Sequence, residues 1–244
     1  MIHRTKGIVL RTVKYGETSI VVNIFTELFG IRSYLVNGVR SAGKTAKASF
    51  FQPTSLLEME VYHNELKNLQ RIKEFKWSYL YKNILSDVTK NAVALYMIEL
   101  LQKSLKQPEN NNDLFQFSED ALMQLDIADN AVTANFPLYF GLHLSYFLGF
   151  RLEDDYAEDN SILDLQEGAF IKAIPHHPHY LEEDQSFYIS QFLKVQHPDE
   201  LMEIKLNKVI RRKMLFALQN FYGLHIQDFG IMKTLPILHE IMAE

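Results

Sequence analysis

KGIVLRTVKYGETSIVVNIFT, residues 6–26, decides the fold. Lys6–Lys14 and Thr18–Thr26 are rich in Ile, Val, Thr and Phe, and Tyr15-Gly16-Glu17 between them has turn composition, so the stretch reads as two consecutive strands. Working outward, Ile31–Val36 and Ser55–His63 have the same character, and Phe29-Gly30 marks the turn before the third strand. In the fourth, Leu57, Met59 and Val61 alternate with Glu58, Glu60 and Tyr62, which gives it one face in a core and one in water. Leu69–Trp77 is a fifth strand of weaker alternation. Five short strands, with the longer connection Asn37–Pro53 between the third and fourth, predict a small closed or partly closed barrel of the OB-fold type.

Past Tyr79 the period changes. Val93, Met97, Leu100, Leu101 and Leu105 recur at helical spacing, and Pro108 with Asn110–Asn112 ends that helix. Leu114–Leu125 and Val132–Phe150 follow as helices. The stretch from Asp129 to Arg151 has no charged residue inside it, but its apolar part, Phe136–Phe150, is too short for a bilayer and is interrupted by Pro137, Gly141 and Gly149, so it reads as a buried helix. Residues 151–183 are irregular, with an acid cluster at Glu153–Asp159 and a short strand at Ser161–Leu165. Helical period returns over Gln185–Val195, and the longest helix is expected from Pro198 to Tyr222, with Gly223 as its C-terminal cap. The predicted organisation is an OB-fold five-stranded β-barrel over 1–79, then an all-α domain over 80–244 with an irregular β insertion at about 151–183.

Composition bounds the function. The 244 residues contain no cysteine, which removes thiol catalysis, thiolate zinc sites and iron–sulfur ligation. No signal peptide is visible at the N-terminus, so a cytoplasmic location is expected. The net charge of −5 hides an asymmetry: residues 1–82 hold 13 Lys/Arg against six Glu, a net of +7, and the remainder carries −12. A basic front on an acidic back suggests a module for polyanions joined to one that should not bind them.

Gly38-Val-Arg-Ser-Ala-Gly-Lys-Thr45 satisfies the P-loop pattern, which opens a reading as a nucleotide hydrolase. A P-loop needs a full helix directly after it and an alternating βαβ sheet around it, whereas here an amphipathic strand follows within about ten residues. The same loop fits single-stranded nucleic acid better. Arg40, Lys44 and Lys47 lie in a glycine-containing connection, with Arg11 and Lys14 on one strand and Arg32 on another; these six are the candidate DNA contacts. Tyr34, Phe50 and Phe51 are candidate stacking rings, at least two of which the pattern places in the core. His176, His177 and His179 form a turn that resembles a metal cluster but reads as an exposed loop. Lys205, Lys208 and Arg212 are expected on one helical face, opposite a stripe of Leu206, Val209, Ile210, Met214, Ala217, Leu218 and Phe221, as a possible secondary basic face. No Ser-His-Asp or paired-carboxylate spacing is present, so no catalytic residue and no cofactor are assigned. A third reading is an adaptor whose barrel holds an acidic protein.

Lys6-Gly-Ile-Val-Leu-Arg-Thr12, Tyr15-Gly-Glu17, Phe25-Thr26, Gly30, Asn37-Gly-Val-Arg40 and Phe51-Gln-Pro53 leading into Leu56-Leu-Glu58 form an ordered series that resembles the start of the RecO family of bacterial DNA repair proteins. Leu148-Gly-Phe150, closing a helix before an irregular segment, is similar to the family's C-terminal domain. The resemblance implies a non-enzymatic recombination mediator. Such a protein binds single- and double-stranded DNA, anneals strands, and loads RecA together with RecR on DNA coated by single-stranded DNA-binding protein (SSB), whose acidic C-terminal tail it engages. Many members carry a four-cysteine zinc site after that helix; this sequence has none, so its segment 151–179 must be held by packing, or by the three histidines.

Overall fold

The computed structural model describes residues 1–39, 45–107 and 109–242, the side chains of Thr45, Ala46 and Glu183 excepted. Strands β1 (Ile2–Tyr15), β2 (Ser19–Thr26), β3 (Gly30–Val36), β4 (Leu56–Tyr62) and β5 (Leu69–Tyr79) close a barrel in the order β1-β2-β3-β5-β4. All pairs are antiparallel except β3 with β5, the OB arrangement. β1 serves two partners: Ile2–Ile8 pairs with β4, and Gly7–Tyr15 pairs with β2. At the crossover sits Gly7, where a Cβ atom would come within 2.5 Å of the Ile24 Cγ2 and 2.7 Å of the Met59 Cε. Only glycine lets the strand pass that close to the core.

Val9, Val22, Ile24, Tyr34, Phe51, Leu57, Met59 and Val61 fill the interior. The five-residue helix α1 (Thr45–Ser49) and Phe51 follow β3, and the Thr12 hydroxyl donates to the Phe51 carbonyl at one end of the barrel. This is not the setting of a P-loop, because the helix is a single turn and leads into a barrel strand. On the outside, the cross-strand row Leu56–Ile8–Phe25 is buried as well. Helix α3 (Asn112–Ile127) explains it: Phe115 meets the Phe25 ring edge-on at 5.4 Å, and Lys6 Nζ reaches the buried Glu119 carboxylate at 2.7 Å. Leu105–Met123 therefore forms one compact unit with Met1–Lys82, and Asn83–Ser104 forms a second with the chain from Gln124 onward.

The second unit is built around α4 (Asn130–Phe147), whose residues from Val132 to Ser145 are almost all buried. It packs on α2 (Val88–Ser104), α5 (Glu183–Lys194) and α6 (Lys208–His225). Asn135 of α4 donates to the Leu201 and Ile204 carbonyls, and the Tyr222 hydroxyl donates to the Gly141 carbonyl. The long helix expected over 198–222 is two elements. A 3-10 turn covers Pro198–Glu203, and α6 begins afresh at Lys208, where the Asn207 side chain accepts from the Ile210 N–H. Gly223 is an ordinary helical residue inside α6, and Ile226 caps the helix instead. A short helix, α7 (Thr234–Ile241), follows. Among the described residues no helix is long and apolar enough to cross a membrane.

The insertion forms a three-stranded sheet, β7-β6-β8, from Ile162–Asp164, Ala169–Ile171 and Tyr180–Leu181. Hydrogen bonds hold it. The Asp164 carboxylate accepts from the Gln166 and Glu167 amides and lies 3.2 Å from His177 Nε2. The Ser186 hydroxyl accepts from the Leu163 amide and donates to the Leu181 carbonyl, and the His225 ring stacks on Phe150 while its Nε2 lies 3.0 Å from the Leu165 carbonyl. His176 is exposed, and among the described residues no group of His, Asp and Glu is arranged to hold a metal ion.

Burial holds the His143 imidazole below its ordinary range, and it does the same to His63 and His239. The unfolded chain then binds more protons than the folded one, so stability is full above the ordinary histidine value and is lost as pH falls through it toward the lowered folded value. The denaturation midpoint should drop between about pH 7 and 5, and His143→Gln should flatten that slope. An unchanged slope in the variant would remove His143 from this account.

Candidate nucleic-acid interface

The barrel's outer surface has two chemically distinct faces. On β1, β4 and β5, cations are already neutralised: Arg4 and Lys76 bind Glu58, Lys73 binds Glu60 at 2.7 Å, and Lys6 binds Glu119. Lys76 and Arg4 together hold the Glu58 carboxyl below the usual carboxylate range. Glu58 and Glu60 are already subtracted in the +7 of residues 1–82, so only the Lys6–Glu119 pair draws on that excess; the cations of this face are nonetheless held by carboxylates, and it offers little to a polyanion.

The face over β1, β2, β3 and the start of β5 is different. Residues paired across strands share a face, so the register lays down rows. One row runs Arg11–Asn23–Ser33–Leu69, the next Val13–Val21–Leu35–Arg71–Tyr62, and a third is Tyr15–Ser19. Ser33 donates to the Asn23 side chain at 2.9 Å, and the Ser19 hydroxyl donates to Asn37 at 3.1 Å. These rows contain no carboxylate. Arg11 and Arg71 are exposed and have no acidic partner among the described residues. Tyr15 is 56% exposed, Tyr62 47% and Val13 47%, so Tyr62 stands at the surface as the cross-strand neighbour of Arg71 and Tyr15 lies four residues along β1 from Arg11. Flat rings beside unpaired cations are what a single strand needs for base stacking and phosphate neutralisation.

Arg11 reaches this face because of a bulge. The β1–β2 register shifts between Val9 and Arg11, so Leu10 is the extra residue and Arg11 lies opposite Asn23 on the outside. Lys14 pairs with core residue Ile20, in the inward register, yet it stands exposed at the barrel end. Lys47 is exposed on α1, which follows the connection leaving that end. Arg40 and Lys44 lie outside the described residues.

Arg32 belongs elsewhere. It pairs with Ile24 and shares the inward face with Tyr34; its Nε is buried without a hydrogen-bond partner among the described residues, and its charge helps depress His63. Of the candidate rings, Tyr34 and Phe51 are core residues, and Phe50 is half-buried, stacked on Trp77 at 4.4 Å. Burial raises the Tyr34 hydroxyl well above its ordinary value.

The second basic face needs correction. Lys205 is not on α6: it lies in the turn before it and donates to the Met202 carbonyl. Lys208 opens the helix, and Arg212, one turn on, lies over the Phe216 ring at 5.8 Å. The buried stripe of α6 is Met214, Leu215, Ala217, Leu218, Phe221 and Tyr222; Leu206 precedes the helix and Val209 is 66% exposed. Met214, Ala217, Leu218 and Phe221 are thus buried as expected, and the misplaced members Leu206 and Val209 lie before the helix or in its exposed first turn.

Sequence reasoning did not single out Arg71, Tyr15 or Tyr62. The available signal was the absence of acids from the segments 18–26 and 30–36, which marks their outer side as fit for an anion.

Residues 1–81 match the family model described as Recombination protein O N terminal, and residues 85–161 match that described as Recombination protein O C terminal. A protein of Bacteroides fragilis described as DNA repair protein RecO is 34% identical over 245 residues, covering 99% of each chain. Proteins of the same description from Phocaeicola vulgatus and Flavobacterium johnsoniae are 30% and 32% identical, covering 100% of both chains in the first case and 98% of this chain with 99% of the relative in the second.

Proposed function

The chain belongs to the RecO family of DNA repair proteins, and from that premise we propose that it is a non-enzymatic mediator that binds single- and double-stranded DNA on its barrel. The observation that carries the reading is the carboxylate-free face with Tyr15 and Tyr62 exposed and with Arg11 and Arg71 lacking an acidic partner among the described residues. Guanidinium groups take phosphate oxygens in a bidentate fork, and the rings offer stacking surface without regard to base identity. Lys14 and Lys47 extend the path over the barrel end, with Arg40 and Lys44 in the adjoining connection, and Arg32 contributes positive potential from within. Lys208 and Arg212, one turn apart on α6, are the part of the secondary basic face that remains. Two strands neutralised on one surface repel each other less, which promotes annealing. In the cell the protein then works in the cytoplasm, on DNA coated by SSB, engages that protein's acidic tail, and with RecR hands the strand to RecA.

Equilibrium binding of a fluorescent oligonucleotide across ionic strengths tests the reading. About two to four phosphate contacts give a slope of log K against log salt near −1.4 to −2.8 for a single strand, at roughly 0.7 per contact. A slope near zero, or binding without acceleration of annealing of complementary oligonucleotides, would sink it.

A further inference from the structure

The end of the barrel where β3 begins, away from α1, gathers polar groups that neither outer face uses. Cross-strand pairing with the fully buried Val61 and Ile24 turns His3 and Arg32 inward at this end, and Tyr34 lies two residues deeper on the same side of β3. Phe29, from the turn between β2 and β3, packs against the barrel core; it stacks on His63 at 3.8 Å and meets His3 edge-on at 5.3 Å. The connection that follows His63 is pinned by the buried Gln70, whose side chain donates to the Asn64 carbonyl at 2.8 Å and accepts from the Asn64 amide at 3.0 Å. Three side-chain atoms here are buried without a hydrogen-bond partner among the described residues: Arg32 Nε, His63 Nδ1 and the hydroxyl of the fully buried Tyr34. The field around them is positive. Arg32, His3 and the chain's amino group act on His63 with Glu65 opposing, while Glu27, in the β2–β3 turn, acts on Lys6. Burial first, and these cations second, hold the His63 imidazole below its ordinary range. A neutral partner would answer the three unmet hydrogen bonds but leave the guanidinium charge uncompensated, whereas an anion answers both.

We propose that this barrel end is a binding site for one tetrahedral oxyanion of the phosphate class, free or as the head of a phosphate monoester. Arg32 donates from Nε, Tyr34 from its hydroxyl and His63 from Nδ1, and the imidazole takes up a proton as the anion enters. The donors come from β3 and from the end of β4, and a tetrahedral anion accepts from several directions where a carboxylate accepts in one plane. Proton uptake follows from the charges, because the anion offsets the repulsion of Arg32 and His3 that keeps the imidazole neutral. Affinity therefore rises as pH falls through the histidine range. The outer face with Arg11 and Arg71 takes no part, so the site stands or falls independently of DNA contacts there.

The test follows the imidazole Cε1 proton signals of the full chain, nine histidines in all, with His63 assigned through His63→Gln. Inorganic phosphate, added at an ionic strength held constant with sodium chloride, should shift the His63 signal saturably, with a Kd on the order of a millimolar. Sulfate keeps one charge across the range and so isolates the protein's own proton; it should bind about fivefold or more tightly near pH 6 than near pH 7.5. His63→Gln, followed through the His3 signal, should remove most of that pH dependence. Arg32→Met should weaken binding about tenfold or more. Tyr34→Phe, which removes one hydroxyl and keeps the ring, should cost about threefold and keeps the test open if Arg32→Met fails to fold. 2-Deoxyribose 5-phosphate separates the two sources: binding at least as tight as that of phosphate supports the site as one for monoester heads, and binding about tenfold weaker supports it as one for the free ion. A His63 response to chloride equal to that to phosphate would overturn the proposal, as would a sulfate affinity that does not change with pH. So would the absence of any His63 shift up to about 20 mM phosphate, a range well above the expected Kd.

Discussion

Replacing Arg11 and Arg71 together by glutamate should lower the affinity for a single-stranded oligonucleotide by about two orders of magnitude at roughly 0.1 M salt, each reversal removing one phosphate contact and adding a repulsion. The salt slope should fall by about 1.4, twice the single-strand increment. Both side chains are exposed and without acidic partners among the described residues, so the fold should tolerate the change within about 0.5 kcal/mol. Lys73→Gln is the matched control: Lys73 is already committed to Glu60, and its loss should leave the slope unchanged. An unaltered slope in the double variant places the DNA elsewhere. If Lys14→Glu with Lys47→Glu abolished binding instead, the strand would cross the barrel end, not the sheet face.

The largest loss of stability is expected from Asp126→Ala. Asp126 is fully buried, and its Oδ1 accepts from the Asn83 and Ile84 amides, both at 2.8 Å. Its backbone carbonyl accepts from the Asn83 side chain and from the Lys90 ammonium, itself only 6% exposed. Truncation orphans the amides of Asn83 and Ile84, the second of them fully buried, and removes a buried charge from the segment whose carbonyl holds Lys90, a loss of about 3–5 kcal/mol. Asp126→Asn keeps one oxygen acceptor and should cost less than half as much. Chemical denaturation with an unchanged m-value reads both, and a loss below about 1 kcal/mol for the alanine variant would contradict this account of Asp126.

The barrel was legible because local patterns sufficed for it. Alternation at Leu57, Met59 and Val61 and turn composition at Tyr15-Gly16-Glu17 identify strands without knowledge of their partners. Which side chains share a face is a different question, since register is a long-range property. Arg71 joins the interface only through the parallel pairing of β3 with β5, and nothing in the weak alternation of Leu69–Trp77 announces it. Arg11 was picked out for its charge; its outward position depends on the bulge at Leu10, without which it would face inward. Arg32 shows the opposite outcome, a cation assigned to the surface that the register turns toward Tyr34. In the helical unit, Asn207 carries a good N-cap signal, but Pro198 supplied an earlier start, and the ten-residue error carried Lys205 onto a helix it does not belong to. Strands of two or three residues, such as Ala169–Ile171 and Tyr180–Leu181, are too short for periodicity to register.

The burial of Ile8, Phe25 and Leu56 beneath α3 has a consequence for synthesis on the ribosome. All five strands are available once Lys82 has left the exit tunnel, yet the cover for that apolar row lies within Leu105–Met123. At about 5–20 residues per second the nascent barrel waits some seconds with an oily flank bare, an interval in which a chaperone or a neighbouring nascent chain has access to it. A barrel ended at Lys82 would carry that vulnerability permanently, which sets the shortest self-sufficient barrel fragment of this protein at its third helix, well beyond its last β-strand.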